Sequence, residues 1–459
     1  MMAAQRTTTE DAGRPGAGPA KREVLVLGMG ATGASCARHF AARGETAWFA
    51  DTRAAPPGLD AIRQAMPGAG LMTGGIPAAL PPGVTRIVVS PGVDLDLPLL
   101  AAARRRALPV SSDIDLFAAE CRAPMIGITG SNGKSTVTSM VGAMLEGEGW
   151  PVAVGANLGT PALDLLDSAV RAYVLELSSF QLERSAPLPL AAAVVLNVAP
   201  DHLDKHGSMD AYAAAKARIY ARCATAVVNR AEPALSRLVP RGTRTISFGL
   251  DAPAKGEFGL MGDARGECLA FGGEALLPVS ALGTPGRHNV ANALAALALC
   301  HAVGAGFTGC LAGLRAFRGL PHRMQVVEAA GGVTWIDDSK ATNVAAAITS
   351  IRSVQGPLVL IAGGDGKGQA FDELAAALRG RDALAILLGR DRAQIARAIA
   401  GACAVETVDT LPEAVARARQ HVHPGHTVLL APACSSLDMF ASYEQRGQVF
   451  ADSVRGGSR

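Results

Sequence analysis

The chain has 459 residues, too many for a single hydrophobic core, and 49% of them are apolar, which describes a multi-domain globular protein. A net charge of +3 gives no dedicated nucleic-acid surface, so any anionic ligand must be held by local basic groups. Eight cysteines without a Cys-x-x-Cys pair indicate neither a zinc site nor a disulfide framework, and no apolar run is long enough for a membrane span.

Residues 1–20 are rich in Thr, Gly, Pro and Ala and lack an apolar signal core. They read as a disordered tail, and with the scattered cysteines they fit a reducing, cytoplasmic setting. Residues 23–27 form a short apolar strand pattern, followed by Gly28-Met29-Gly30-Ala31-Thr32-Gly33 and a helix to about Arg43. A strand at 47–50 ends at Asp51-Thr52-Arg53. Strand, glycine turn, helix, strand and acid make up a dinucleotide fingerprint. Read literally, it calls for a nicotinamide cofactor. The turn itself needs only glycines, and any pyrophosphate can use it. Strands at 87–89 and 108–110 complete a small doubly wound unit, with Ser90-Pro91-Gly92 at its ligand-facing edge.

A second segment opens with apolar residues 125–129, then Gly130-Ser131-Asn132-Gly133-Lys134-Ser135-Thr136, then a helical stretch at 137–145. This is the layout of a phosphate-binding loop. Backbone N–H groups and a helix N-terminus attract anions, Lys134 reaches the outer phosphates, and Ser135 can ligate magnesium. The commonest spacing puts a glycine where Ile128 stands. An ordinary strand-to-helix turn would not need a Lys-Ser pair at the helix start.

Strands at 151–154, 173–177, 193–197 and 226–229 follow, each ending at a polar residue. Glu176 lies at such an edge between apolar neighbours, which favours a magnesium role over that of a solvated strand-end acid. Asp201-His202-Leu203-Asp204-Lys205-His206 packs two acids and two histidines together. No thiolate supports zinc there, and His202 fits a magnesium-side role. Lys216, in an Ala-rich helix, reads locally as a solvated lysine. Residues 243–281 suggest a β excursion, and Gly286-Arg287-His288-Asn289 starts a long Ala/Leu helix.

The third segment begins near Gly319-Leu320-Pro321-His322-Arg323 and carries strands at 334–336, 358–362, 383–388 and 427–431. Asp338-Ser339-Lys340-Ala341-Thr342-Asn343, Gly363-Gly364-Asp365-Gly366-Lys367-Gly368 and Ala431-Pro432-Ala433-Cys434-Ser435-Ser436-Leu437-Asp438 follow three of these strands. Their lysines and hydroxyls on one sheet edge describe a pocket for a small carboxylated molecule. The expected architecture is three open parallel-sheet α/β domains in series, with ligands in the clefts between them.

These blocks together resemble the Mur ligase family from Val24 to Gly447. The family's phosphate loop has the short form matched by Thr129-Gly130-Ser131-Asn132-Gly133-Lys134-Ser135, which accounts for Ile128. Gly155-Ala156-Asn157-Leu158-Gly159, Glu176-Leu177-Ser178-Ser179-Phe180-Gln181-Leu182, Asp201-His202-Leu203-Asp204, Gly286-Arg287-His288-Asn289-Val290-Ala291-Asn292 and Gly319-Leu320-Pro321-His322-Arg323 also match. The fingerprint with Asp51-Thr52-Arg53, the loop at 338–343 and the blocks at 435–440 and 443–447 look like the member that adds D-glutamate. Tyr443 stands where that member often has Phe.

The resemblance implies a Rossmann-like UDP-binding domain at 21–116, a P-loop ATPase-like domain at 117–319 and a Rossmann-like amino-acid-binding domain at 320–459. It implies an ATP-dependent ligase that joins D-glutamate to UDP-N-acetylmuramoyl-L-alanine through an acyl phosphate, in peptidoglycan precursor synthesis. Gly30, Ala31, Thr32, Gly33, Asp51, Thr52, Arg53, Ser90 and Asn157 would hold the UDP substrate. Gly130, Asn132, Gly133, Lys134, Ser135, Thr136, Asn289, Asn292, Arg323 and Asp338 would surround ATP. Two magnesium ions would lie among Ser135, Glu176, His202 and Lys216. Lys216 resembles the family lysine that carries CO2 as a carbamate. Lys134, His202 and Lys216 would be catalytic, and Lys340, Thr342, Lys367, Ser436 and Tyr443 would surround D-glutamate. A monomer that closes its domains over ligands is expected. A folylpolyglutamate-synthetase-like ligase would not need the first segment. A nicotinamide-dependent dehydrogenase would leave the phosphate loop idle, and a non-catalytic nucleotide-binding regulator would not need Glu176, His202 and Lys216 together.

Overall fold

The computed structural model describes residues 23–263, 266–284 and 286–456, so the tail at 1–20 lies outside the described residues. The N-terminal sheet has five parallel strands in spatial order Gly70–Met72, Ala47–Ala50, Val24–Leu27, Arg86–Val89, Val110–Ser112. Val24–Leu27 sits in the middle and is buried along its whole length, as its unbroken apolar run requires for a parallel strand covered on both faces. The chain reverses direction of travel across the sheet between Val24–Leu27 and Arg86–Val89, which opens a crevice at their C-terminal ends.

Two details differ from the sequence reading. The strand expected at 108–110 starts only at Val110; Pro109 has no N–H to donate and contributes its carbonyl to Ile87 N–H at 2.9 Å. Gly70–Met72 is an additional short strand. Its glycine lies against the Trp48 ring, where a Cβ would come within 2.1 Å.

Helix Asp113–Glu120 crosses the expected boundary at 116/117. It starts with a capping box between Ser112 and Asp115. Ile114 and Phe117 enter one core with Val24 and Phe40 on one side and Leu175 and Leu190 on the other. Phe117 meets Tyr173 edge-on at 5.0 Å. Arg43 pairs with Glu120 at 2.6 Å, and Arg38 with Asp164 at 3.0 Å.

The central sheet has nine strands, ordered Glu274–Pro278, Gly266–Phe271, Phe258–Asp263, Arg244–Phe248, Thr225–Asn229, Ala192–Val195, Met125–Thr129, Ala172–Glu176, Val152–Ala156. Met125–Thr129 is flanked by Ala172–Glu176 and Ala192–Val195, so the ends of these three strands converge. Helices Lys134–Gly147 and Arg287–Ala302 bury their apolar residues on one face. The C-terminal sheet runs Gln325–Ala330, Val333–Asp337, Thr427–Leu430, Leu358–Gly363, Ala383–Leu388, Ala404–Thr407.

The sheets are parallel except at two edges. Gly266–Phe271 pairs antiparallel with both Phe258–Asp263 and Glu274–Pro278, and Gln325–Ala330 pairs antiparallel with Val333–Asp337. The physical reason lies in two-residue turns. Gly272-Gly273 and Gly331-Gly332 return the chain directly, without the crossover helix that parallel pairing needs. Gly331 and Gly332 both take positive φ, 61° and 77°, as a tight hairpin turn demands.

Candidate active site

The phosphate loop lies at the middle of the central sheet. Helix Lys134–Gly147 has no side-chain cap and no acid in its first turn, so its N-terminal N–H groups face the cleft without a competing anion. Gly133 is left-handed at φ 84°, and a Cβ there would lie 2.7 Å from Asn292 Oδ1. The loop is held from the neighbouring strand end. Asn132 N–H donates to Asn197 Oδ1 at 2.9 Å, and Asn197 Nδ2 donates back to the Asn132 carbonyl at 3.1 Å. Ser131 Oγ bonds the Ala199 carbonyl at 3.0 Å and lies 3.3 Å from the Tyr212 hydroxyl.

Two amines meet on this loop. Lys134 Nζ donates to the Gly130 and Ser131 carbonyls at 2.9 and 3.0 Å, and Lys216 Nζ donates to the same Gly130 carbonyl at 2.9 Å. The solvated lysine that local sequence suggests is not what the fold makes of Lys216. It is 1% exposed and lies 4.4 Å from the Tyr212 ring centroid. Burial, reinforced by Lys134, pushes Lys216 down to about 6, and burial also lowers Lys134. Lys216 is therefore largely a neutral amine at pH 7.5.

Glu176 is 3% exposed. Its Oε1 accepts from Asn157 Nδ2 at 2.7 Å, and Oε2 is buried without a hydrogen-bond partner. Such an oxygen suits a cation. Among the described residues, no three His, Cys, Asp or Glu side chains gather as a metal cluster. The donor set, Ser135 and Glu176, thus fits magnesium, which takes few protein oxygens and completes its shell with phosphate and water. His202 packs edge-on against Phe180 at 5.1 Å, while His206 stacks on the same ring at 5.1 Å.

The C-terminal domain reaches the loop. Arg323 Nη2 donates to Ser135 Oγ at 2.7 Å, and Asn343 Nδ2 lies 3.4 Å from Asn132 Oδ1 and Asp201 Oδ2. Asp338 accepts from Met324 N–H at 3.1 Å and from the Ser350 hydroxyl, and burial raises it to about 6. Lys340 Nζ sits 4.0 Å from the Tyr443 ring centroid, with burial lowering it to about 8. Arg446, 3% exposed, ties two loops together. Its guanidinium donates to the Ser339 carbonyl at 2.8 Å and to the Cys434 carbonyl at 3.1 Å.

Two adjoining clefts result, each of about 370 Å³, large enough for small-molecule ligands. Thr136, Asn289, Asn292 and Asp338 line one. Lys134, Ser135, Asn157, Glu176, His202, Lys216 and Thr342 line the other, and Asn132, Gly133, Arg323 and Lys340 belong to both. Ser436 is buried, and Lys367 is exposed and lines neither.

A third cleft lies in the N-terminal crevice. Gly30, Ala31, Thr32, Asp51, Thr52, Arg53 and Ser90 line it. Gly33 stands behind, where a Cβ would be 2.3 Å from the Gly28 carbonyl oxygen. Asp51 accepts from Met29 N–H at 2.7 Å and from Arg53 Nε and Nη2 at 2.9 and 2.7 Å. The Arg53 hydrogen bonds hold its carboxyl down at about 2. Both oxygens are occupied within the fold, so Asp51 braces the crevice that it lines. Pro91 and Gly92 line this cleft and the reaction cleft alike. Asn157, expected on the UDP substrate, lines the cleft beside the phosphate loop and donates to Glu176.

Asn197, Tyr212 and Arg446 were not singled out from sequence for this site. Asn197 had a signal, a polar residue at a central strand end. Arg446 stands in the matching block at 443–447, but its tie to the Ser339 and Cys434 carbonyls had no signal there.

Fold and site define a three-domain α/β protein with a phosphate loop where its domains meet. Residues 22–112 match the Mur ligase MurD-like N-terminal domain, 128–300 the Mur ligase middle domain, and 322–434 the Mur ligase glutamate ligase domain. The chain is 46% identical to the UDP-N-acetylmuramoylalanine–D-glutamate ligase of Nitrosococcus oceani over 94% of this chain and 96% of that one. It is 47% identical to the same-named protein of Methylobacillus flagellatus, again over 94% and 96%. The solved UDP-N-acetylmuramate–alanine ligase MurC of Thermotoga maritima shares the fold, with a TM-score of 0.60 at 19% identity over 95% of this chain and 99% of that one. The chain belongs to the Mur ligase family.

Proposed function

We propose that the chain is an ATP-dependent ligase that joins D-glutamate to UDP-N-acetylmuramoyl-L-alanine, a step of peptidoglycan precursor synthesis. The observation that carries this reading is convergence. The phosphate loop, the unpartnered Glu176 oxygen, buried Lys216 and the Lys340–Thr342–Asn343 loop share one cleft, and that cleft shares Pro91 and Gly92 with the N-terminal crevice. The similarity to relatives named D-glutamate ligases supports the choice of amino acid.

A carboxylate is a poor acyl donor because its leaving group is poor. Transfer of the ATP γ-phosphoryl group to the L-alanyl carboxylate creates an acyl phosphate. The D-glutamate amine attacks that carbonyl, and phosphate leaves from the tetrahedral intermediate as the amide forms. Lys134 and the loop N–H groups stabilise the phosphoryl group in transit. Magnesium, when bound, screens the phosphate charges; Ser135 and Glu176 would hold one ion, and His202 with Lys216 a second. Lys340, Thr342, Lys367, Ser436 and Tyr443 are assigned to D-glutamate, with Arg446 fixing the loops that carry Ser436 and Lys340. The N-terminal crevice is assigned to UDP, the chain to the cytoplasm, and the active unit to a monomer.

A neutral amine is the form that adds to CO2, releasing a proton to leave a carbamate. The depressed Lys216 supports that modification, which would turn a buried neutral amine into an anion able to hold metal. Lys216→Ala is expected to abolish activity and to recover part of it with short carboxylic acids; full activity without them would refute the carbamate. For the reaction itself, phosphate release from ATP is measured with UDP-N-acetylmuramoyl-L-alanine and each amino acid in turn. Release with D-glutamate alone is expected. Release with L-glutamate and a folate acceptor, or none at all, would overturn the proposal.

A further inference from the structure

Arg184 ends helix Ser179–Arg184, which begins three residues after Glu176. Its side chain is only 8% exposed, yet most of its bonds go to main-chain carbonyls. Nη1 donates to the Phe180 carbonyl at 2.9 Å. Nε donates to the Val93 carbonyl at 3.2 Å, and Nη2 makes a second bond to the same oxygen. The Glu183 carboxylate stands 3.6 Å away. A guanidinium largely removed from water is costly unless its donors are used, and two of these donors grip one carbonyl in another domain.

Val93 belongs to the loop that follows strand Arg86–Val89. Ser90, Pro91, Gly92 and Val93 line the N-terminal crevice, and Pro91 with Gly92 also line the reaction cleft. This loop lies outside the sheet ladder. Within its own domain it is held by Ser90 N–H on the Leu27 carbonyl at 2.9 Å, by Ser90 Oγ on the Gly28 carbonyl at 3.4 Å, by a turn from Val93 N–H to the Ser90 carbonyl at 3.0 Å, and by Val93 packing on the core around Leu25 and Val89. The hold from the central domain comes through Arg184.

We infer that Arg184 is a positioning residue for the uridine-nucleotide substrate, because its guanidinium fixes the Val93 carbonyl and with it the wall shared by the N-terminal crevice and the reaction cleft. The helix that follows Glu176 thereby sets the passage along which the nucleotide-linked carboxylate must reach the phosphate loop. The inference rests on the reading of the crevice as the UDP site. Arg184 touches neither reacting atom, so its effect is expected on substrate affinity rather than on the chemical step.

The test compares the full-length wild type with Arg184→Ala and Arg184→Lys. In the alanine variant, KM for UDP-N-acetylmuramoyl-L-alanine should rise roughly tenfold, the loss expected for hydrogen bonds from a charged donor. kcat and KM for ATP should stay within about twofold, and the Kd for UDP, by calorimetry, should weaken in parallel. The lysine variant, which keeps a donor for the Val93 carbonyl, should recover affinity to within about threefold. Unchanged KM and Kd in Arg184→Ala, an equal loss of ATP affinity, or a lysine variant as weak as alanine would each overturn the role. A wild type that binds UDP but releases no phosphate with D-glutamate would sink the functional reading, while the UDP comparison would still decide Arg184.

Discussion

Two glycine-rich turns join a buried parallel strand to a helix in this chain, and they do different work. At Gly28-Met29-Gly30-Ala31-Thr32-Gly33 the acid that follows, Asp51, is locked by Arg53 and by Met29 N–H, leaving an uncapped helix end over an open crevice. At Gly130-Ser131-Asn132-Gly133 the acid from the neighbouring strand, Glu176, keeps an oxygen without a partner, and two amines, buried Lys216 and half-buried Lys134, crowd the turn. Glycines let both turns pass into a helix whose first turn has no side-chain cap and opens on a cleft. The charges around them separate binding from reaction. A neutralised acid supports an anion held at rest, whereas an unpaired acid beside these lysines suits a metal and a phosphoryl group in transit.

The contrast is most directly broken at its lysine. Lys134→Ala should lower turnover by about 10³-fold while leaving the Kd for UDP unchanged. Turnover within tenfold of wild type would remove the difference between the two turns. Asn157 offers a sharper probe, because the resemblance implies a UDP-substrate role for it and its side chain donates to Glu176. Asn157→Ala should raise the magnesium concentration needed for half-maximal rate by about tenfold or more, as loss of an orienting partner does. A rise in KM for the UDP substrate with no magnesium effect would return Asn157 to the first site.

The helix that joins the two regions carries Asp113, 2% exposed with Oδ1 unpartnered. Burial raises it to about 7. A carboxyl whose folded pKa lies above its unfolded value is comfortable when protonated. Its cost to stability appears as pH rises above about 4 and is complete above about 7. Asp113→Asn should therefore stabilise the fold at pH 8 by about 2 kcal/mol and by little at pH 4, read as the shift in unfolding midpoint. An equal shift at both pH values would contradict this account. The smallest effect is expected at Arg53, half exposed beside Asp51. The Asp51 pKa is depressed, so its contribution is present above about 4 and lost as pH falls towards 2. Arg53→Ala should cost about 1 kcal/mol at pH 7, discounted for solvent around the guanidinium, and progressively less as pH falls through about 2. A pH-independent loss would show that packing, not the ion pair, is at work.

Local chemistry made much of this legible. The strands before both turns, the glycines in them, the Lys134-Ser135 pair at a helix start and the acids and hydroxyls at strand ends follow from short-range rules of apolar periodicity and backbone conformation. One antiparallel edge was legible as the β excursion at 243–281, whereas strand Gln325–Ala330, turned by Gly331-Gly332, was not among the strands expected. Pro109 carried the reason its strand begins at Val110, which the strand expected at 108–110 overlooked.

The remaining features depend on distance in the chain. Lys216 looks solvated in its helix and is buried only because strand Met125–Thr129 brings the Gly130 carbonyl under it, 86 residues away in sequence. Asn197 acts on the phosphate loop because parallel pairing puts Ala192–Val195 beside that strand. Arg446 and Arg184 spend their donors on carbonyls of remote loops, a use no spacing reveals, since any main-chain oxygen can accept. The sequence by itself determined the backbone shapes, the layered α/β architecture and the residue types available at each strand end, because these are set by near neighbours. Only the tertiary structure decided which charges are neutralised, which are stripped of water and which oxygen is left without a partner, because desolvation and pairing depend on what the fold packs against each group.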